Sequence, residues 1–342
     1  MSRFIQRLKQ RVAKDMRNIV LPEGDSRRVL QAAEQVAVEG FARPILVGKE
    51  EIIKRNAALY TIDLSGVRIV DPETSPDLEE CCAYFAKQRA KAGMTVAKAQ
   101  DILRQNPVFF GAALVALDKA DGMVAGATLT SADVIRAALQ VIGIHPGIHT
   151  VSSSFVMITE AKQFGDHGIF VLGDASVVVK PTPEQLADIA ENCVDRARRT
   201  VQLLDPKVAL LSYSTLGSGS GEEIDLVRQA LHILRERHVD FDVDGELQSD
   251  AALSPRVARQ KAPGSTVAGQ ANVLIFPNLV SANICYKMIQ QLTGATALGP
   301  LLQGLNKPVM DLSRGCTKSE IVDIIAICCS DVSHIEESKG II

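Results

Sequence analysis

At 342 residues, 46% hydrophobic and 23% charged, the chain has enough apolar material for two cores of ordinary size, about 150 residues each. Its charges are interspersed and sum to only -3, which argues against a nucleic-acid surface. No apolar run, including the long one from Val108 to Leu117, approaches the roughly 20 residues that span a bilayer.

The first residues are basic and amphipathic, with Phe4, Leu8, Val12 and Met16 at helical spacing opposite Arg3, Arg7, Arg11 and Lys14. A transit peptide is disfavoured because the segment is poor in serine, carries Asp15 and runs directly into the strand-like Asn18-Ile19-Val20-Leu21, so a helix docked on the first domain is expected. Strands are then predicted at residues 19–21, 44–47, 67–70, 122–125, 151–156, 169–172, 208–213, 240–245, 273–276 and 297–302. Helical patterns lie between them, such as those at 26–40, 95–103, 131–142, 183–204, 222–237 and 281–292. This alternation predicts a parallel α/β architecture, in which ligands bind beyond the carboxyl ends of strands. The breaker Gly143-Ile144-His145-Pro146-Gly147 marks a domain seam, and His145 and His149 have no metal-ligand partner at useful spacing. The seven cysteines include the adjacent pairs Cys81-Cys82 and Cys328-Cys329 and no C-x-x-C, the usage of reduced thiols in a cytoplasmic protein.

Four segments carry candidate chemistry. Gly126-Ala-Thr-Leu-Thr130-Ser131 opens a helix bearing Arg136; Thr130 or Ser131 fits an N-cap, and the same geometry fits a phosphate site with Arg136 as counter-charge. Gly217-Ser-Gly-Ser-Gly221 follows a strand and opens a helix, yet is G-x-G-x-G and lacks a suitably spaced ribose carboxylate, so it reads as a flexible loop that lines a substrate cleft at most. Asp240-Phe-Asp-Val-Asp244-Gly245 imitates an EF-hand start, but Ala251 stands where calcium requires a bidentate Glu, and the segment reads as a strand end turning into a helix. In Asp311-Leu-Ser313-Arg314-Gly-Cys316-Thr317-Lys-Ser-Glu320, Arg314 offers a planar fork to a phosphoryl group and Ser313 a donor to an oxyanion. Thr317 and Glu320 also form a capping box. Cys316 at a helix start is either an activated thiol or a packed small residue.

These motifs, with Leu21-Pro-Glu-Gly-Asp25 and Arg28, Asp244-Gly-Glu-Leu-Gln248 through Ala252, Phe276-Pro-Asn-Leu279, Ser281 to Lys287 and Gly299 to Gly304, occur in one order along nearly the whole chain. In that order they resemble the phosphate acetyltransferases, which move an acetyl group between phosphate and coenzyme A. Leu129, where the family commonly has histidine, and Glu320, where it usually has aspartate, look closer to the ethanolamine-utilisation branch. The resemblance implies two three-layer α/β domains of the isocitrate/isopropylmalate dehydrogenase kind with a cleft between them. The first would be residues 1–147 plus 299–342 and the second 148–298. It also implies a cytoplasmic homodimer without metal or cofactor, whose small-molecule substrates are acetyl-CoA, CoA, phosphate and acetyl phosphate.

By matching position, Ser313, Arg314 and Glu320 are the expected catalytic residues, with Glu320 as base. Arg136, Arg89, Thr130 and Ser131 are expected to bind phosphate or CoA, and direct transfer in a ternary complex favours the packed reading of Cys316. Three other readings stay open: a phosphotransbutyrylase-like enzyme for longer acyl groups, a non-catalytic acyl-CoA sensor and, least favoured for want of a nicotinamide fingerprint, a dehydrogenase.

Overall fold

The computed structural model describes residues 3–338, and their side chains as far as residue 332. Its strands are β1 (Arg17–Leu21), β2 (Ala42–Val47), β3 (Arg68–Val70), β4 (Gly122–Ala125), β5 (Ser152–Ile158), β6 (Ile169–Gly173), β7 (Lys207–Leu211), β8 (Asp242–Leu247), β9 (Val273–Ile275), β10 (Thr296–Gln303) and β11 (Val309–Asp311). The chain splits into two compact units, one formed by residues up to Pro146 with those from Leu305 onward, the other by Gly147–Gly304.

In the first unit the strands lie in the order β3-β2-β1-β4-β11, all parallel. Parallel neighbours require crossovers, and each crossover helix buries an apolar stripe on the sheet. The helices Arg27–Glu39 and Lys318–Ser338 pack together and against these strands, while Leu78–Gln88, Pro107–Ala116 and Ser131–Ala137 form a separate group. The result is three layers. The opening helix, Arg3–Val12, does dock as expected, on the last helix, but the residues it buries are Ile5, Leu8, Lys9 and Val12 rather than Phe4. Lys9 goes inward because its ammonium pairs with Glu39 at 2.9 Å and Asp323 at 3.4 Å while its stem packs. The chain runs from β1 outward through β2 and β3, then returns to place β4 on the other side of β1, which sets the switch point of this unit at the carboxyl ends of β1 and β4.

The second unit has the order β10-β5-β6-β9-β7-β8. The parallel expectation fails at two ladders, β10 with β5 and β5 with β6, which are antiparallel. Only a short turn-rich segment joins β5 to β6, and a parallel connection needs a crossover of a dozen residues or more. The calcium look-alike is strand β8 followed by the helix Ser249–Leu253. Strand β11, Val309-Met310-Asp311, was not among the strands expected from the sequence.

Glu246, on β8 and 1% exposed, organises the glycine-rich loop of this unit. Its carboxylate accepts from the Arg228 Nε at 2.9 Å and Nη2 at 3.1 Å, the Gly217 N–H at 2.9 Å and the Ser214 hydroxyl at 2.8 Å. The Gly217–Gly221 loop therefore meets an anion supplied by the chain itself. Burial alone would raise the Glu246 carboxyl, but the Arg228 fork, the Gly217 N–H and the Ser214 hydroxyl overcome it and hold the group down at about 2. A folded value depressed below the ordinary 4.5 stabilises the fold above that pH and ceases to as pH falls toward 2. Glu246→Gln should accordingly lower the thermal midpoint clearly at neutral pH, with a deficit against the parent that shrinks steadily as the melts are repeated from about pH 4.5 down toward about pH 2.

Candidate active site

Three neighbouring parallel strands of the first unit, β1, β4 and β11, point their carboxyl ends the same way. The segments that leave them are Pro22-Glu23-Gly24, Gly126 to Thr130 and Leu312 to Thr317. Glu23 is 5% exposed and takes the centre. Its Oε2 accepts from the N–H groups of Gly126 and Ala127 at 2.9 Å each, and its Oε1 from the Leu129 N–H at 2.9 Å and the Thr128 hydroxyl at 2.7 Å as well as the Thr128 N–H. A dry carboxylate is tolerable only when its lone pairs are met by donors, and here they are. The phosphate cradle expected in the loop before Thr130 is thus already filled, by a side chain 103 residues away in sequence.

Gly126 permits this arrangement. Its φ of +109° is open to glycine, and a Cβ there would fall 2.4 Å from the Asp311 Oδ1 and 2.8 Å from the Leu312 backbone. The β4 and β11 loops meet at this point backbone to backbone. Arg28, in the first turn of the helix Arg27–Glu39, ties them: its Nη1 donates to the carbonyls of Arg314, at 3.0 Å, and Cys316, and its Nη2 to the carbonyl of Ala127 at 2.6 Å. Arg28 is therefore a structural clamp whose donors are directed at the protein backbone.

Above the clamp, Ser313 and Arg314 are exposed. The Ser313 carbonyl accepts the Cys316 N–H at 2.8 Å and its hydroxyl accepts the Gly315 N–H at 3.3 Å, a turn that leaves the hydroxyl proton to point elsewhere. The Arg314 guanidinium makes no ion pair among the described residues, in contrast to Arg136, which pairs with Asp133 at 2.9 Å. Thr317 and Glu320 form the capping box: Glu320 Oε2 accepts the Thr317 N–H at 2.7 Å and its hydroxyl at 3.0 Å, and the Glu320 N–H donates to the Thr317 hydroxyl at 3.2 Å. Cys316 is buried. That burial, reinforced by Glu320 and Glu23 against the opposing Arg28, pushes its thiol up to about 11, so the helix start does not activate it.

Thr130 is an N-cap: its hydroxyl accepts the Asp133 N–H at 3.3 Å and donates to the Asp133 carboxylate at 2.7 Å. Ser131 is half-buried at the head of that helix. Arg89 is half-buried at the C-terminal end of the helix Leu78–Gln88, and among the described residues no side-chain hydrogen bond or ion pair joins it to the loops. The structure thus unites the β4 and β11 loops, with Thr130, Ser131, Ser313, Arg314 and Glu320, through Glu23 and Arg28. It leaves Arg89 on a separate element. Among the described residues no three His, Cys, Asp or Glu side chains are grouped to hold a metal ion.

Glu23→Gln tests the centre of this arrangement. An amide keeps one acceptor oxygen and turns an NH2 group toward backbone donors, so the variant should lose about 2 kcal/mol or more of stability in denaturant unfolding, with a corresponding fall in turnover.

The comparisons agree with this architecture. The family described as phosphate acetyl/butaryl transferase matches residues 3–329. A phosphate acetyltransferase of Thermoanaerobacterium thermosaccharolyticum is 44% identical over 323 residues, 94% of this chain and 97% of that one. The solved phosphotransacetylase of Streptococcus pyogenes superimposes with a TM-score of 0.90 at 38% identity, covering 98% of this chain and 100% of its own. The EutD phosphotransacetylase of Staphylococcus aureus gives 0.86 at 37% identity, over 96% and 98%. With the site geometry and these matches both spanning nearly its full length, the chain belongs to the phosphate acetyl/butaryl transferase family.

Proposed function

We propose that the chain is a phosphate acetyltransferase that moves an acetyl group between coenzyme A and phosphate by direct attack of the CoA thiolate on acetyl phosphate, both substrates being bound at once. The observation that carries this reading is the exposed Ser313-Arg314 pair on a loop clamped by Arg28, with a guanidinium left unpaired among the described residues. Arg314 grips the phosphoryl dianion with two parallel N–H donors, and the Ser313 hydroxyl donates to the oxygen on which charge develops. The thiolate sulfur bonds to the acetyl carbon, the carbon–oxygen bond to phosphate breaks, and phosphate leaves with the electron pair.

Glu320 is proposed to receive the thiol proton, the capping box holding its carboxylate near the loop. Transfer from an ordinary thiol to an ordinary carboxylate is uphill by about 4 pKa units, or about 6 kcal/mol. A turnover on the order of 10³ per second allows a barrier of about 13 kcal/mol, so such a base suffices when orientation covers the remainder. Arg136 and Arg89 are proposed to meet the phosphates of coenzyme A, with Thr130 and Ser131 lining the acyl phosphate side.

Two substitutions test this reading in one assay of acetyl phosphate formation. Arg314→Lys keeps the charge but loses the fork, and should reduce kcat/KM by more than about tenfold. Glu320→Gln preserves the capping box and should lower kcat by about 10² or more if the carboxylate is the base, leaving the thermal midpoint nearly unchanged. Full turnover in both would remove the loop from the chemistry. Running acetyl, propionyl and butyryl phosphates side by side separates an acetyltransferase from an enzyme for longer acyl groups, and no turnover with any of them would leave a sensor.

A second copy of the chain is the proposed partner. The helix Leu279–Thr293 turns Ala282 and Tyr286 into its own core and exposes Val280, Ile284, Met288 and Leu292 by 58%, 55%, 54% and 78%, at four-residue spacing on one stripe. A helix apolar on two faces calls for a cover on both. Met288→Glu should convert a dimer into a monomer in sedimentation velocity, whereas unchanged sedimentation would move the interface elsewhere. A cytoplasmic location is proposed from the seven free thiols, the usage of a reducing compartment, and among the described residues no helix is long and apolar enough to cross a membrane.

A further inference from the structure

Asp311 ends β11 two residues before Ser313 and is 0% exposed; the Ser131 hydroxyl on the β4 side and the Leu312 N–H on the β11 side approach its carboxyl, in geometry too poor for full hydrogen bonds. Its Oδ1 lies against the Gly126 backbone, so the group sits in the join between the β4 and β11 loops. The charged and titratable groups on the elements that meet there are Glu23 after β1, Arg28 on its helix, Asp133 and Arg136 on the helix that follows the β4 loop, Arg314 and Cys316 in the β11 loop, and Glu320 at the head of the last helix, while Asp323 further along that helix pairs with Lys9. Of these, the Glu23 carboxylate is the charge that acts on Asp311, and it acts against ionisation. The Ser131 hydroxyl and the Leu312 N–H favour the charged form, but burial outweighs them and pushes the carboxyl up to about 7. Arg28, the nearby cation, directs its donors to backbone carbonyls.

We propose that Asp311 works as an uncharged acid, a positioning residue that keeps the β4 and β11 loops joined beneath the Ser313-Arg314 pair, and that its ionisation weakens the hold on the phosphoryl substrate. A second negative charge beside Glu23 repels the first across a dry join and lowers the potential where a dianion must bind. The neutral acid avoids both. This inference rests on the acyl phosphate reading of the site for its catalytic consequence, though not for the protonation of Asp311 itself.

The test compares wild type with Asp311→Asn, which is neutral at every pH and of nearly the same shape. Expected are a kcat within about threefold of wild type near neutral pH, and a ratio of wild-type to variant KM for acetyl phosphate that rises about tenfold as pH goes from about 6 to about 9. Taking the ratio cancels titration of the substrate. A loss of tenfold or more in kcat by a folded Asn variant, or a KM ratio flat with pH, overturns the proposal. Thermal melts make the protonation test independent of activity. With its folded value raised, Asp311 holds a proton that the unfolded chain releases, so wild type loses stability as pH rises from about 4 to about 7 and Asn does not. The midpoint of Asp311→Asn should therefore gain on wild type over that range, and a pH-independent difference overturns the idea. If Asn does not fold, carbon-13 NMR of aspartate-labelled wild type decides: a carboxyl titrating near 7 is expected, and none above about 6 refutes it. An inactive wild type with the expected melts would refute the acyl phosphate reading and leave Asp311 protonated.

Discussion

The loop that leaves β4 at the candidate site is held by the buried Glu23 carboxylate. The N–H groups of Gly126, Ala127, Thr128 and Leu129 converge, as they do wherever a loop leaves a strand for a helix, and converging N–H dipoles demand an anion. In this unit the chain provides that anion internally. The loop is therefore ordered before any ligand arrives, and Arg28 can lean on its Ala127 carbonyl to fix the neighbouring loop in turn. A site held this way meets its substrate without first having to organise itself, the condition under which fixed donors are most effective.

The second unit repeats the device. Asp174, 2% exposed at the end of β6, accepts the N–H groups of Ser176, Val177 and Val178 and the Ser153 hydroxyl, and Glu246 does the same for the glycine-rich loop. Loops that look in sequence like nucleotide cradles are satisfied by carboxylates from strand ends.

Capping and catalysis are not rivals at Glu320. The Glu320 carboxylate at the head of the last helix is oriented by the Thr317 N–H and hydroxyl, and an oriented carboxylate is what the proposed base would require. Cys316 shows the opposite outcome at nearly the same address: burial keeps its proton in place and assigns it to packing.

The alternation of strands and helices, the Thr317-x-x-Glu320 box and the Thr130 cap were legible in the sequence, because each depends on spacings of a few residues that a helix or strand repeats. The short strand β11 was not. Nor were the roles of Glu23, Arg28 and Asp311. Glu23 finds its donors 103 residues away and Arg28 reaches the Arg314 carbonyl across 286, while the protonation of Asp311 depends on burial and on the Glu23 charge. Local hydrogen bonding is written in neighbouring residues, and so the sequence by itself determined most of the elements and the caps at Thr130 and Thr317. Which buried charge meets which loop is decided only when strand order brings β1, β4 and β11 side by side, because burial and Coulomb interaction act through space and not along the chain.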